Sequence, residues 1–268
     1  MSPSVMGVLN VTPDSFSDGG RYLDFDAALA RGLDMVAEGA DIVDVGGESS
    51  RPGAEPVPED EERRRVVPVV AALAPHVRVS VDTVKPGVAE AAIEAGATLV
   101  NDVSARLSGI AASRGVGWVA MHMRGTPRTM QDAPSYEDVV GEVGSFLVDR
   151  ARAAREAGVS EVWVDPGIGF GKTVSHNLEI LHRLSELVAL GFPLMVGTSR
   201  KSFLGTVAAR SDGSPTPVGD RLPASLATAT WAMLAGAAMV RVHDVAATVQ
   251  AAVLVGPARL PAVVGGRR

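Results

Sequence analysis

The amino-acid sequence predicts a closed α/β barrel of eight parallel strands, a (β/α)8 fold with long loops after the first two strands. Short apolar runs rich in β-branched residues recur along the chain and alternate with amphipathic, alanine-rich stretches. From Asn10 to Arg241 the repeat averages about 33 residues, the size of a strand, a helix and two loops. Runs that are apolar on both faces are typical of buried parallel strands. Eight such repeats indicate a closed barrel.

The predicted strands all end in polar or small residues. In chain order they are VMGVLN at 5–10, DIVDVGG at 41–47, VRVSVD at 77–82, TLVND at 98–102, WVAMH at 118–122, VWVDPG at 162–167, PLMVGT at 193–198 and MVRVH at 239–243. Amphipathic stretches at 25–39, 59–73 and 136–158 predict helices between strands. The segment 105–117 leaves room for only about two helical turns after the fourth strand.

The composition is that of a protein able to bury a large core. The chain has 268 residues, of which 46% are hydrophobic and 21% charged. Its net charge of −6 argues against nucleic-acid or anionic-membrane partners. The lack of cysteine excludes disulfides and thiolate metal sites. No linker or shift in composition divides the sequence, so we expect one domain over residues 1–268.

Two further features bear on location. The first ten residues contain neither the basic region nor the apolar run of an export signal, which favours the cytoplasm. Residues 222–240 form a stretch of 19 residues without a charge, but its proline, serine, threonine and glycine residues make it weakly hydrophobic. A membrane span needs about 20 strongly apolar residues. We therefore expect a buried helix that runs into a strand.

The connections after the first two strands are longer than the fold requires. Residues 12–24 and 47–60 are rich in glycine, proline and serine. Loops of this length usually bind ligands, and both follow the carboxyl ends of strands, where barrel active sites lie. These loops therefore predict an active site at that end of the barrel.

Polar residues at the strand ends predict what this site binds. They are Asn10, Asp44, Asp82, Asn101, His122, Asp165, Lys201, Arg241 and His243. We interpret Asp44 as a support for the loop that begins at Gly46. The side chains of Asp82, Asn101 and Asp165 follow apolar runs, so they would be partly buried and would need hydrogen-bond partners. A planar heterocycle with several N–H donors would supply them.

Cationic residues after the last two strands predict an anion site. SRKSFLG at 199–205 and RVH at 241–243 follow the strands whose loops most often hold phosphate in barrels. Arg241 and His243 are two residues apart, so both would face one anion. The alternative is that Arg241 pairs with Asp244 or another surface carboxylate. The segment DPGIGFGKT at 165–173 is glycine-rich but lacks the spacing of a Walker phosphate loop.

One metal site is compatible with these residues. Asn10 carries a neutral oxygen suited to a hard cation, and Mg²⁺ is usually held by one or two protein oxygens together with substrate phosphates. A diphosphate-bound Mg²⁺ at Asn10 would fit this pattern.

Eight segments together resemble the dihydropteroate synthase family, in the same order and across nearly the whole chain. They are MGVLNVTPDSFSDGG at 6–20, GGESSRPGA at 46–54, SVDT at 80–83, NDVS at 101–104, MHMRGTPRTMQ at 121–131, DPGIGFGKTVSHN at 165–177, GTSRKSFLG at 197–205 and RVHDV at 241–245. The resemblance implies a TIM-barrel transferase of folate synthesis, a sulfonamide target, that joins 6-hydroxymethyl-7,8-dihydropterin diphosphate to 4-aminobenzoate. Its products would be dihydropteroate and diphosphate. It also implies a homodimer.

The resemblance assigns a role to each matching residue. The pterin ring would be held by Asp82, Asn101, Met121, Asp165 and Lys201. The diphosphate would meet Asn10, Ser50, Arg241 and His243, with Mg²⁺ on Asn10. The 4-aminobenzoate would contact Phe16, Arg51, Pro52, Phe170 and Ser202. Catalysis would involve Asp18, Lys201, Arg241 and His243, with early departure of diphosphate and capture of the pterin cation by the arylamine.

Two departures from the family and two alternative functions remain open at this point. Ser50 stands where many members have threonine, and the segment after Asn101 is several residues shorter than usual, which leaves the packing of the fourth helix uncertain. A methyltetrahydrofolate-dependent corrinoid methyltransferase would share the pterin pocket but would not need the cations for a diphosphate. A catalytically silent pterin-binding paralogue is the other alternative.

Overall fold

The computed structural model describes residues 3–12, 21–49, 53–126 and 128–256. Eight parallel strands surround a common axis, which confirms the predicted barrel. They are β1 (Ser4–Asn10), β2 (Ile42–Gly46), β3 (Arg78–Asp82), β4 (Leu99–Asp102), β5 (Gly117–Met121), β6 (Val162–Asp165), β7 (Met195–Val196) and β8 (Met239–Val242). Strands β1 to β6 are neighbours in chain order, and β8 lies between β1 and β7.

The barrel closes between β6 and β7. A parallel bridge joins Val164 to Leu194, and the amide of Val164 donates to the carbonyl of Pro193 at 3.1 Å. The sequence predicted a seventh strand over 193–198, but β7 has only two residues. Pro193 lacks an N–H to donate, so the first part of this segment can pair only through its carbonyls.

Helices connect the strands on the outside of the barrel. Within the described residues they are α1 (Arg21–Ala37), α2 (Glu59–Leu73), α3 (Pro86–Glu94), α4 (Ser108–Arg114), α5 (Val139–Glu156), α6 (Val174–His182), α7 (Leu184–Val188), α8 (Ser202–Val207), α9 (Leu222–Leu234) and α10 (Val245–Val255). The prediction for α2 coincides with the structure. The helix predicted over 136–158 begins later because Asp138 caps it, accepting from the amide of Val140 at 3.2 Å.

Strand register gathers the predicted site residues at the carboxyl end of the barrel. Asp82 on β3 lies opposite Asn101 on β4, and Met121 on β5 lies opposite Asp165 on β6. The interior beneath them is apolar and is filled by Met6, Ile42, Leu99, Val119, Met195 and Met239. Unbranched methionine side chains adapt to such a narrow space. The polar site therefore rests on an apolar base.

The short connection after β4 is organised by one buried carboxylate. Asp102, the last residue of β4, accepts the amides of Arg106 at 2.7 Å and Leu107 at 2.6 Å. It also accepts the indole N–H of the fully buried Trp118 on β5 at 3.1 Å. These bonds fix the start of α4, which has seven residues, about two turns as expected. The shortened segment is thus firmly packed.

The uncharged stretch at 222–240 folds as α9 followed by β8, which confirms a helix that runs into a strand. Only one face of α9 is buried, because Leu234 is 70% and Trp231 is 39% exposed. No helix within the described ranges is long and apolar enough to cross a membrane.

Replacing Asp102 by alanine should lower the free energy of unfolding by about 3 kcal/mol or more, because several buried N–H donors lose their acceptor at once. Urea unfolding followed by circular dichroism measures the loss. The matched control is Asp212→Ala, since Asp212 makes a similar turn with the amide of Ser214 at 2.8 Å but is exposed to water. Equal losses in the two variants would contradict the proposed importance of Asp102.

Candidate active site

The centre of the site is the guanidinium of Arg241, which β8 carries into the barrel. Its Nε donates to Asp44 Oδ2 at 2.6 Å, and its Nη2 donates to Asp82 Oδ2 at 2.7 Å. The Arg241 side chain is 21% exposed, whereas that of Asp44 is completely buried. Burial works against the charge of Arg241, but the two carboxylates outweigh it and raise the arginine pKa. Arg241 is therefore a permanent cation in a fixed orientation.

Asp44 is the residue that the sequence analysis interpreted wrongly. It does not support the loop at Gly46; it lies inside the barrel, where its Oδ2 also accepts the amide N–H of Asn101 at 2.8 Å. One carboxylate oxygen thus orients both Arg241 and Asn101. A signal was present in the sequence, because in the strand segment VDV the two valines and the aspartate must face opposite sides. The valines Val43 and Val45 pack outward, under the helices.

The alternative that Arg241 pairs with Asp244 is wrong. The carboxylate of Asp244 is taken by Arg200, whose Nη2 lies 2.6 Å from Asp244 Oδ1. His243 lies just after β8, and its Nδ1 is 3.0 Å from the hydroxyl of Ser199. Arg241 and His243 are therefore both at the carboxyl end of β8 but have different partners.

Lys201 lies in the turn between β7 and α8, and β7 is the strand next to β8. The preceding residue, Arg200, has a left-handed backbone with φ of 60°, a conformation uncommon for side chains other than glycine. Lys201 Nζ donates to the carbonyl of Ile168 and lies 4.6 Å from the ring centroid of Phe170. Burial lowers the pKa of Lys201 to about 8; Asp165 opposes this shift and Arg241 adds to it.

The two carboxylates expected to meet a heterocycle are both electrostatically perturbed. Asp165 is 5% exposed and accepts the amide of Gly167 at 2.7 Å; burial raises its pKa, against the opposing charge of Lys201. Burial also raises the pKa of Asp82, with Arg241 opposing and Asp44 adding to the shift. Both groups sit where ligand N–H donors would be needed to hold their charge.

The remaining predicted residues are placed as follows. Met121 is buried at the end of β5, Asn10 is the half-buried last residue of β1, and Ser202 is the first residue of α8. Phe16, Asp18, Ser50, Arg51 and Pro52 lie outside the described residues. No cluster of three or more His, Asp or Glu side chains able to hold a metal occurs among the residues that the structure describes.

A second residue that the sequence analysis missed is Lys172. It is 2% exposed and lies behind the glycine-rich loop after β6. Burial, together with the charge of Lys201, lowers its pKa to about 7. The rejected phosphate-loop pattern was the signal, since it places a lysine next to three closely spaced glycines.

Comparison with known proteins decides the family. The model of the family described as "Pterin binding enzyme" matches residues 6–243. The dihydropteroate synthase of Mycobacterium leprae is 49% identical over 261 residues, covering 94% of this chain and 92% of that protein. The enzyme of Escherichia coli is 44% identical, covering 93% and 89%. The chain belongs to the dihydropteroate synthase family. It is thus a transferase of folate biosynthesis.

Solved structures give the same result. The Xanthomonas albilineans dihydropteroate synthase with 4-aminobenzoic acid has a TM-score of 0.87 and 46% identity, and the match covers 94% of this chain and 91% of that one. The Yersinia pestis dihydropteroate synthase in a sulfonamide drug complex has a TM-score of 0.87 and 43% identity, with 95% and 93% covered. Their shared fold confirms the predicted TIM barrel.

The site predicts three separable lysine titrations, because the chain has lysine only at 85, 172 and 201. In protein labelled with ¹³C-lysine, the Cε resonances should titrate near pH 7 for Lys172 and near pH 8 for Lys201. Burial acts to lower the pKa of Lys85 as well, but Glu48 and Glu62 outweigh it, so this resonance should titrate above 10.5. Single lysine variants assign the signals.

The same shifts have a consequence for stability. Between about pH 7 and the ordinary lysine value of 10.5, the unfolded chain binds more protons at positions 172 and 201 than the folded chain does. The contribution of these two groups to the free energy of unfolding therefore rises with pH over that range. Three lysines that all titrate together near pH 10.5 would contradict both expectations.

Proposed function

We propose that this chain is a cytoplasmic dihydropteroate synthase, folded as one pterin-binding domain over residues 1–268. It would join 6-hydroxymethyl-7,8-dihydropterin diphosphate to 4-aminobenzoate, giving 7,8-dihydropteroate and diphosphate. The observation that carries this proposal is the arrangement of Asp82, Asn101 and Asp165 around a barrel mouth that also holds Arg241 and Lys201. This places ring-binding acceptors beside fixed cations.

The pterin ring would bind between β3, β4 and β6. A 2-amino-4-oxopterin presents adjacent N–H donors, which a buried carboxylate such as Asp165 accepts well. Such donors would stabilise the charged form of Asp165 against the burial that raises its pKa. Lys201 would donate to a ring oxygen or nitrogen, and Met121 would pack against the ring face.

The diphosphate would lie beside Arg241 and His243, with Asn10 and Ser50 completing its contacts. Within the described residues Arg241 Nη1 makes no hydrogen bond, so one amino group of the fork is available to a phosphate oxygen. Its positive charge does not depend on pH in the working range, as a site for a leaving diphosphate requires.

The donor set fits a Mg²⁺ ion that is shared with the substrate. Asn10 offers one neutral oxygen at the end of β1, and the described residues offer no cluster of acidic or imidazole ligands. Mg²⁺ commonly uses few protein oxygens together with substrate phosphates and water. When bound, it would neutralise charge that develops on the departing diphosphate.

In the reaction, the bond between the pterin methylene carbon and the diphosphate oxygen breaks first, and its electron pair leaves with diphosphate. Arg241 and His243 stabilise this charge from fixed positions. The amino nitrogen of 4-aminobenzoate then bonds to the methylene carbon and releases one proton. Because a neutral arylamine is already nucleophilic at pH 7, the site needs no strong general base.

The 4-aminobenzoate would bind outside the pterin. Phe170 would form one wall, and Ser202 would meet the carboxylate at the start of α8. Phe16, Arg51 and Pro52 would form the rest of this slot, and Asp18 would lie near the cationic carbon. Sulfonamides would compete for the same slot; the Yersinia pestis relative has been solved in a sulfonamide drug complex.

The purified protein with Mg²⁺ should release diphosphate from the pterin diphosphate only when 4-aminobenzoate is present. Lys201→Ala and Arg241→Ala should each lower kcat/KM by about a hundredfold or more, because each removes a charge that acts in the transition state. Coupled detection of diphosphate and chromatography of dihydropteroate measure both products. Arg63→Ala, which removes an exposed arginine from α2, is the control.

Two other outcomes would replace the proposal. Pterin binding without turnover would identify a silent paralogue. Methyl transfer from methyltetrahydrofolate to a corrinoid would identify the methyltransferase alternative. The paired cations at the mouth favour the synthase, because a methyl donor carries no diphosphate to stabilise.

We also propose that the protein is a homodimer whose interface includes the outer faces of α9 and α10. These packed helices expose Leu234, Val253 and Leu254, the last by 86%. A neighbouring apolar group, Trp231, contacts the ring of His182 with centroids 4.9 Å apart. A second copy of the chain would remove this apolar face from water.

Leu254→Asp should therefore convert the dimer to a monomer, because it would place a charge within the buried interface. Sedimentation velocity measures the change. The control is Val218→Asp, which adds the same charge at a residue 52% exposed in the 3-10 turn Val218–Asp220, away from this face. A wild-type protein that sediments as a monomer would overturn the dimer proposal.

A further inference from the structure

The glycine-rich loop between β6 and α6 encloses a buried ammonium group. Lys172 Nζ lies 3.0 Å from the carbonyl oxygen of Gly167, 3.0 Å from that of Phe170 and 3.0 Å from His122 Nδ1. An ammonium group has three N–H donors, so these contacts occupy all of them. Lys172 is 2% exposed, so its ammonium group is enclosed by the loop.

His122 is matched to this role. It is 7% exposed, and its ring packs edge-on against Phe146 with centroids 5.0 Å apart. Burial lowers the pKa of His122 to about 3, and the charge of Lys172 adds to the effect. When Lys172 is protonated it donates to Nδ1, and the neutral ring then carries its proton on Nε2.

The loop needs an internal donor because of its backbone path. Gly167 and Gly171 have positive φ of 64° and 63°. A Cβ at Gly167 would lie 1.8 Å from the carbonyl oxygen of His122, and one at Gly171 would lie 2.5 Å from that of Arg124. The loop is thus wound tightly against the end of β5, with carbonyls turned inward. Buried carbonyls without donors are costly, and Lys172 supplies the donors.

The outer side of the same loop faces the candidate site. The carbonyl of Ile168 accepts from Lys201, and the Phe170 ring lies 4.6 Å from Lys201 Nζ. The carbonyl of Phe170 is held by Lys172 on the inner side. One residue of the loop therefore contacts a lysine on each side, and its ring orientation depends on both.

We propose that Lys172 is a positioning residue that holds the 166–172 loop in the shape that presents Phe170 to 4-aminobenzoate. The identity of the ligand in this inference rests on the proposed function, whereas the stabilisation of the loop by Lys172 does not. Lys172 itself touches neither substrate. Removal of the Lys172 side chain should weaken the binding of 4-aminobenzoate and leave pterin binding largely unchanged.

The first experiment measures the loop without any substrate. In Lys172→Met, which keeps an unbranched side chain one atom shorter but removes its donors, the amides of peptide 166–173 should exchange hydrogen at least tenfold faster than in wild type. The control is Lys85→Met, which removes a lysine outside this loop that pairs with Glu48 at 2.7 Å and with the buried Glu62. Unchanged exchange in the loop, or an equal change in both variants, would overturn the proposal.

The second experiment separates the two substrates. Lys172→Met should raise KM for 4-aminobenzoate at least tenfold and change KM for the pterin diphosphate less than threefold. In a double-mutant cycle, Lys172→Met should add less than threefold to the KM for 4-aminobenzoate of Phe170→Ala, because both act through the same ring. Additive effects, or equal effects on both substrates, would overturn the assigned role.

A third variant keeps the proposal testable if Lys172→Met does not fold. Lys172→Gln retains two N–H donors on a shorter neutral side chain and should fall between wild type and complete loss in loop exchange. A Lys172→Gln loop that exchanges as slowly as wild type would count against the need for three donors. If the wild-type protein does not consume 4-aminobenzoate, the proposed function fails. The exchange result still tests whether Lys172 stabilises the loop.

Discussion

The site depends on the ion pair between Arg241 and the completely buried Asp44. Taking both charges out of water is costly, and close geometry and additional hydrogen bonds offset the cost. Within the described residues, Asp44 Oδ1 and Asn101 Oδ1 make no hydrogen bond, so the offset comes from the other oxygen of Asp44. Here the Asp44 oxygen that accepts from Arg241 at 2.6 Å also accepts from Asn101 at 2.8 Å. Asp82 holds a second nitrogen of the guanidinium. Asp44 and Arg241 thereby join strands β2, β3, β4 and β8. Under the proposed function, the ring acceptors and the cation for the leaving group would be oriented by this one ion pair.

The charged groups of the site act on one another. Arg241 faces two carboxylates, while Lys201 faces Asp165, and burial favours the neutral forms of both Lys201 and Asp165. Under the proposed function, N–H donors on the ligand ring would stabilise the Asp165 carboxylate, and a negatively charged tail would stabilise the cations. Ligand and site would then stabilise each other's charged forms.

Much of this arrangement could be predicted from spacing, and the exceptions have a common physical cause. Periodicity located α2 and most strands, and the strand ends identified Asp82, Asn101, Asp165, Lys201 and Arg241, since the ends of parallel strands converge. The partners of Asp44 and Asp102 could not be read from the sequence, because they are set by hydrogen bonds across the barrel or by backbone amides of an irregular loop. The shortness of β7 was missed because Pro193 limits pairing at its start and only a bridge from Val164 to Leu194 closes the barrel there.

The glycine-rich segment shows how similar patterns serve different chemistry. In a phosphate-binding loop, glycines let backbone N–H groups converge on an external anion. Here the glycines at 167 and 171 bring carbonyls inward instead, and the group they surround is the ammonium of Lys172. The enclosed group is therefore a cation instead of an anion. Lys172 stabilises the loop and does not bind a ligand. Lys201, in the turn after β7, is half-buried and contacts the same loop from its other side, where the proposed function assigns it to the pterin.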